Sequence, residues 1–294
     1  MNRLIATPPA AQIAPLLNAY NTTLAAKRRQ LILGGIIGGI AIWISVIGAE
    51  VDPVTWWNKL GNFSSYFDRL LTLDTGARVW TDPREWFWGL KRWLRLLGET
   101  ILIAYVGTIT GALLGFCACF AASRNMMRNA FWRGIARRGL EFCRTVPEIV
   151  FALIFVAAFG LGAFAGVLAV VIHTTGALGK LFSEVVENID MKPVEGIAST
   201  GGGWFAQVRF GALPQVLSNF ASYGLLRFEI NVRGATVLGF VGAGGIGHDL
   251  ITAIRKFFYA DVSVMLLMII VTVMLIDTLS TRLRHRLLAM ENHP

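Results

Sequence analysis

Residues 31–49 read LILGGIIGGIAIWISVIGA, a run in which only Ser45 and the indole of Trp43 carry a polar side-chain group. At 1.5 Å per residue, a helix over this run is about 28 Å long, close to the ~30 Å hydrocarbon core of a bilayer. The basic segment before it is long for a secretory leader, and Ile47-Gly48-Ala49 is a poor cleavage site, so the run reads as an uncleaved first span. The rest of the chain agrees. Of 294 residues, 55% are hydrophobic and 15% charged, with a mean hydropathy of +0.59, whereas soluble chains carry about a quarter charged residues. The pattern predicts an all-α, polytopic membrane protein with six spans, at about 31–49, 99–122, 142–160, 163–182, 215–238 and 262–281. Residues 142–182 would run about 60 Å as one helix, so the stretch is cut into a hairpin at Gly160-Leu161-Gly162.

The net charge of +9 raises nucleic acid as a partner, and its placement excludes it. Arg3, Lys27, Arg28 and Arg29 precede the first span; Arg124, Arg128, Arg133, Arg137 and Arg138 follow the second; Arg282, Arg284 and Arg286 follow the last. Basic residues confined to short segments beside spans are the positive-inside signature, not a basic face. With six spans, both termini fall in the cytoplasm of a bacterial inner membrane. The layout is a cytoplasmic segment (1–30), a first transmembrane helix (31–49), a periplasmic interfacial segment (50–98) and a core (99–288) containing a polar loop at 184–214. Six of the nine tryptophans, Trp56, Trp57, Trp80, Trp86, Trp88 and Trp93, fall in the interfacial segment. Tryptophan favours the headgroup level, so short amphipathic helices are expected there. Lys91, Arg92 and Arg95 in this segment fit the charge rule poorly. Cys117, Cys119 and Cys143 have no metal-ligand spacing and read as reduced thiols packed in helices.

Residues 242–247, GAGGIG, satisfy G-x-G-x-x-G, with Asp261 about twenty residues on. A dinucleotide site needs a βαβ unit around that motif, and the apolar run after Asp261 is too long for a strand. Gly242, Gly244, Gly245 and Gly247 instead predict a non-helical or re-entrant turn at the outer end of the fifth span.

The more specific signal runs from Val194 to Pro214, VEGIASTGGGWFAQVRFGALP. Glu195, Gly201, Leu213 and Pro214 keep the spacing of the EAA loop of ABC-importer permeases, which this segment resembles. Gly196 and Ile197 stand where that motif has Ala-Ala, and Gly211 where it has Ile. The physical need is a short helix, a tight turn and a second helix entering a span. Gly201 permits the turn, Pro214 suits a first helical turn, and Glu195 suits a helix start. Three stretches narrow the resemblance to the permeases of phosphonate importers, relatives of the methionine-type permeases: Gly160 to Glu187, Glu195 to Val216, and Arg227 to Gly247. The resemblance implies the type I importer permease fold, a homodimer, two cytoplasmic ATPase subunits that carry ATP and Mg, and a periplasmic phosphonate-binding protein. Permeases for phosphite and hypophosphite look alike. This chain has no P-loop, so it is expected to bind no cofactor itself. A passive channel or an intramembrane enzyme is the rival reading; a channel needs no coupling loop, and no nucleophile–base pair or metal set converges here.

Arg227 lies about 20 Å along the fifth span from Pro214, and an ionisable group at such depth faces a cavity or a partner. Arg227 and Asn231 share one helical face, and Glu229 with Arg233 the nearly opposite one. The expectation is a structural Glu229–Arg233 pair, with Arg227, Asn231 and His173 of the fourth span as candidates for the substrate path. Arg144 and Glu148, flanking Pro147, read as helix-start residues without a chemical role.

Overall fold

A computed structural model describes residues 10–50 and 52–291; Arg3, the rest of 1–9 and the last three residues lie outside them. Among the described residues the chain is helical, with one isolated bridge between Thr72 and Arg78 and no strand. It divides into two units at Phe67.

The first unit holds α1 (Ala10–Gly48) and most of α2 (Pro53–Leu70). The apolar part of α1 begins at Asn18 and none of it is buried within the chain, so its isoleucines and Trp43 are free to face lipid. α2 is amphipathic, as expected of an interfacial segment.

The second unit contains α3 (Pro83–Trp86), α4 (Leu90–Ala122), α5 (Ala130–Thr145), α6 (Glu148–Phe159), α7 (Ala163–Glu187), α8 (Lys192–Ser199), α9 (Trp204–Ala206), α10 (Leu213–Leu238), α11 (Ile246–Arg255) and α12 (Tyr259–Glu291). Its centre is the α4–α7 pair. Gly107, Gly111 and Gly115 line one stripe of α4, and a Cβ at Gly111 would stand 2.7 Å from Thr174 Cβ, one at Gly115 2.9 Å from the Gly179 backbone. Small residues at this spacing let two membrane helices approach backbone to backbone. α10 closes the group. Phe182 of α7 stacks on Phe220 of α10, and Val232, Ala235 and Leu238 pack with Ile103 and Val170.

Three expectations change. α4 begins at Leu90, not near residue 99, so Lys91, Arg92 and Arg95 belong to its first turns. Arg92 pairs there with Asp249 of α11 at 2.8 Å, and Trp88 and Trp86 donate to Asp261 and Ser263 of α12. The third span, expected at 142–160, is not one helix: α5 and α6 meet at an 85° bend. Pro147 lacks an N–H and forces Val146 out of the helical region, to ψ 124°. α6 alone runs about 18 Å, short of a bilayer core. After α10 the expected glycine turn is followed by a helix that the sequence reading did not include. The chain bends by 49° over Gly242–Gly245 into α11, and Phe257, before α12, has φ +60°. Among the described residues, four helices are long and apolar enough to cross a membrane, and up to six spans result with each bent pair counted as one. The break at Gly160–Gly162 falls where expected, both glycines having positive φ.

Candidate functional site

The loop at 184–214 is a helix, a turn and a helix. Asp190 starts it: its carboxylate accepts from the Lys192 N–H at 3.0 Å, and its backbone exchanges two hydrogen bonds with the Gln215 amide. α8 follows, with Glu195 exposed in its first turn and Gly196 exposed beside it with nothing within 4 Å of its missing Cβ. Val194 on the opposite face is buried. α8 ends in a Schellman motif. Gly201 takes φ +82° and donates to Ala198 C=O, and Gly202 donates to Ile197 C=O, both at 3.0 Å. The loop is fixed to the second unit's body through the Trp204 indole, which donates to Met126 C=O at 3.1 Å. A groove of about 720 Å³ runs beside α8, with Met126, Arg128, Glu195, Ala198 and Gln207 on its walls.

Pro214 does not open a free helix. α9 runs into a π-helical stretch, Gln207–Ala212, and that stretch runs into α10; Leu213 donates to Val208 C=O, five residues back. A proline inside an α-helix clashes with the carbonyl four residues earlier, and the wider turn just before Pro214 relieves this clash. Leu213 packs against the apolar cluster around Phe182 and Val216. Gly211, a departure from the EAA pattern, also has a reason: the α8 backbone rests on it.

The glycines after α10 form a packed turn. Gly242, Gly244 and Gly245 have φ between +77° and +85°, values that L side chains rarely adopt. The Gly162 N–H donates to Gly242 C=O at 2.9 Å, the Ile246 N–H donates to Thr100 Oγ1 at 3.0 Å, and Gly247 abuts the Thr236 carbonyl. The turn thereby joins one end of α4, α7 and α10, with no strand beside it among the described residues to make a nucleotide fold.

Polar side chains meet at the centre of the helices. Arg227 Nη2 contacts His173 Nδ1; a guanidinium only donates, so the imidazole accepts there and carries its proton on Nε2. Asn231, one turn on, is fully buried and donates to Thr108 Oγ1 at 2.8 Å and Thr174 Oγ1 at 2.9 Å. Arg227 Nε and Asn231 Oδ1 are buried without a hydrogen-bond partner. The three residues singled out from the sequence for a path are therefore together. Glu148 corrects the helix-start reading. It does begin α6, but its Oε2 lies 3.9 Å from His173 Nδ1. The available signal was an acid inside an otherwise apolar run; Thr108 carried none beyond its place in the glycine stripe. On the other face of α10, Glu229 and Arg233 form an ion pair, and Glu229 also meets Asp277 of α12, a neighbour sequence reasoning missed. No group of three metal-ligating side chains occurs among the described residues.

Residues 107–288 match the family model described as binding-protein-dependent transport system inner membrane component. The chain is 35% identical to the phosphite transport system permease protein PtxC of Stutzerimonas stutzeri over 89% of its own length and 95% of that protein's. It is 55% identical over 40% of its length, and 96% of the relative's, to the putative cryptic phosphonate transport system permease protein PhnE2 of Escherichia coli K12. In fold it is similar to a chain of the inward-facing MetNI methionine ABC transporter, with a TM-score of 0.58 at 18% identity, covering 66% of this chain and 95% of that one.

Proposed function

Because the chain belongs to the family of binding-protein-dependent transport system inner membrane components, and so is a multi-pass permease subunit of an ATP-driven importer and not an enzyme, we propose that its cargo is a small phosphorus oxyanion, with phosphonate the first choice. The observation that carries this reading is Arg227. Its guanidinium sits about 20 Å along α10 from Pro214, with Nε buried and free of any partner. A phosphonate entering a low-dielectric path needs such a donor, and arginine matches its oxygens. Arg227, Asn231 and His173 line the path, and Glu229–Arg233 braces the opposite face of α10.

Coupling runs through α8. Glu195 and Gly196 present an exposed surface to a cytoplasmic ATPase, which binds ATP and Mg, while Gly201, Leu213 and Pro214 hold that surface in register with α10. The working assembly has two copies of this permease, two ATPase subunits and a periplasmic binding protein, with both permease termini in the cytoplasm. ATP-driven closure of the ATPases moves the loops and reorients the spans. The glycine turn at Gly242–Gly247 holds the outer ends of the helices together during that motion.

Phosphite is the second reading, favoured by the similarity to PtxC over nearly that protein's full length. Co-purification with neighbouring gene products, then reconstitution in proteoliposomes, tests both. Uptake of a phosphonate supports the first; uptake of phosphite or hypophosphite alone replaces it with the second. Transport of none of the three sinks the oxyanion assignment.

A further inference from the structure

Three helices each deliver one group to the same point. α7 supplies His173, whose Nδ1 accepts from Arg227 of α10 and lies 3.9 Å from the Oε2 of Glu148 of α6. Glu148 and Arg227 carry opposite charges beside His173 without forming an ion pair with each other. The acid has a seat made for it on α10. A Cβ at Gly234 would overlap Glu148 Oε1, so an alanine there would displace the flexible end of the glutamate from this position. Gly234 lies seven residues from Arg227, two turns along the same face. Guanidinium, seat and Asn231 thus share one stripe of α10. The side chains of Glu148 and His173 retain 24% and 19% exposure.

A transporter's binding group must let go. Arginine grips an oxyanion through charge-assisted, often bidentate bonds, and a charge stranded at depth without a partner is strongly unfavourable. An arginine with no alternative partner would hold its cargo. A carboxylate offers the same pair of anionic oxygens as a phosphorus oxyanion and is covalently tethered nearby, so it competes at high effective concentration. Resting on the proposed oxyanion cargo, we propose that Glu148, seated on Gly234, is a built-in rival ligand for Arg227: it yields to the incoming anion, and its return makes release favourable. Glu148 is a positioning residue that acts through Arg227.

The test has a binding arm and a transport arm, both on the assembled transporter. In the first, inorganic phosphate is the probe, and its effect on thermal unfolding is compared in the parent, Glu148→Gln and Gly234→Ala. Removing or unseating the rival should lower the phosphate concentration needed for half the stabilisation by about tenfold. Adding Arg227→Gln to Glu148→Gln should abolish the gain. In the second arm, Glu148→Gln should lower the KM and the maximal rate of uptake together, because a tighter grip slows release; a purely structural lesion would lower the rate and leave KM alone. Coincident phosphate titrations of parent and variants overturn the inference, as does a gain that survives Arg227→Gln. Gly234→Ala keeps every charge, so it guards against a misfolded Glu148→Gln. Failure of both variants to accumulate assigns Glu148 to folding and also overturns the proposal. If the parent carries no phosphorus oxyanion, the cargo reading falls while the phosphate titration still decides the role of Glu148.

Discussion

Gly211 carries Val194 on its bare backbone: a Cβ at Gly211 would stand 2.9 Å from Val194 Cα. Because the obstacle is main chain, no rotamer change relieves it. Gly211→Val should push α8 off the π-helical stretch, leaving insertion intact while binding-protein-stimulated ATP hydrolysis is lost. Gly196 is the contrast, since nothing lies within 4 Å of its missing Cβ. Gly196→Trp should leave the isolated chain as stable as the parent yet prevent ATPase co-purification. Normal assembly of Gly196→Trp would remove that surface from the coupling interface.

Gly201 has φ +82° and open space around its missing Cβ, so any penalty there is backbone strain and not a clash. Gly201→Val should cost on the order of 1–3 kcal/mol locally and abolish stimulated ATP hydrolysis. Asparagine tolerates the left-handed region, and Gly201→Asn should keep most of the activity. Equal loss in both variants would mean that a partner surface, not the turn, requires glycine.

Arg227 and Arg233 should separate in phenotype. Arg227→Gln is expected to accumulate and to cut uptake at least about tenfold, the effect of ~1.4 kcal/mol on a barrier. Arg233→Gln leaves Glu229 beside Asp277 without its ion-pair partner, so the folded amount should fall instead. Quantitative blotting alongside proteoliposome uptake distinguishes them. An Arg227→Gln variant that transports normally, or that fails only by not accumulating, makes Arg227 structural.

Orientation is open to direct labelling. Trp80 is 63% exposed, and a single cysteine there should react with an impermeant maleimide in intact cells. A cysteine at Arg133, on α5, should react only after lysis. The reverse pattern would invert the topology.

The features legible in sequence were local ones. The run at 31–49 identifies a membrane helix by length and hydropathy alone, and Gly160–Gly162 and Gly201 mark breaks because only glycine suits their φ. The loop motif gave the spacing of Glu195, Gly201, Leu213 and Pro214, but not the reason for Gly211, which depends on what packs upon it. Glu148 begins α6 as read, but its place beside His173 and Gly234, 86 positions on from it in sequence, was not legible. The third span failed for a related reason: hydropathy averages across Pro147, and one missing N–H redirects the chain by 85°. Asn231 and Glu229 were found, but Thr108, which accepts from Asn231, and Asp277, which meets Glu229 on the far face, came only with the tertiary arrangement.

The π-helical stretch before Pro214 sets an angular phase. Each residue of an α-helix advances the side chains by about 100°, and a π turn holds residues beyond the α count without interrupting the rod. The proposed coupling surface on α8 and the stripe bearing Arg227, Asn231 and Gly234 are therefore clocked against each other across Gln207–Ala212. A deletion within that stretch is absorbed as the π turn relaxes to plain α geometry, whereas deleting one residue of α10 between Pro214 and Arg227 would turn the two regions against each other by roughly 100°. The two ends of the transport cycle would each be intact and no longer address the same moment of the stroke.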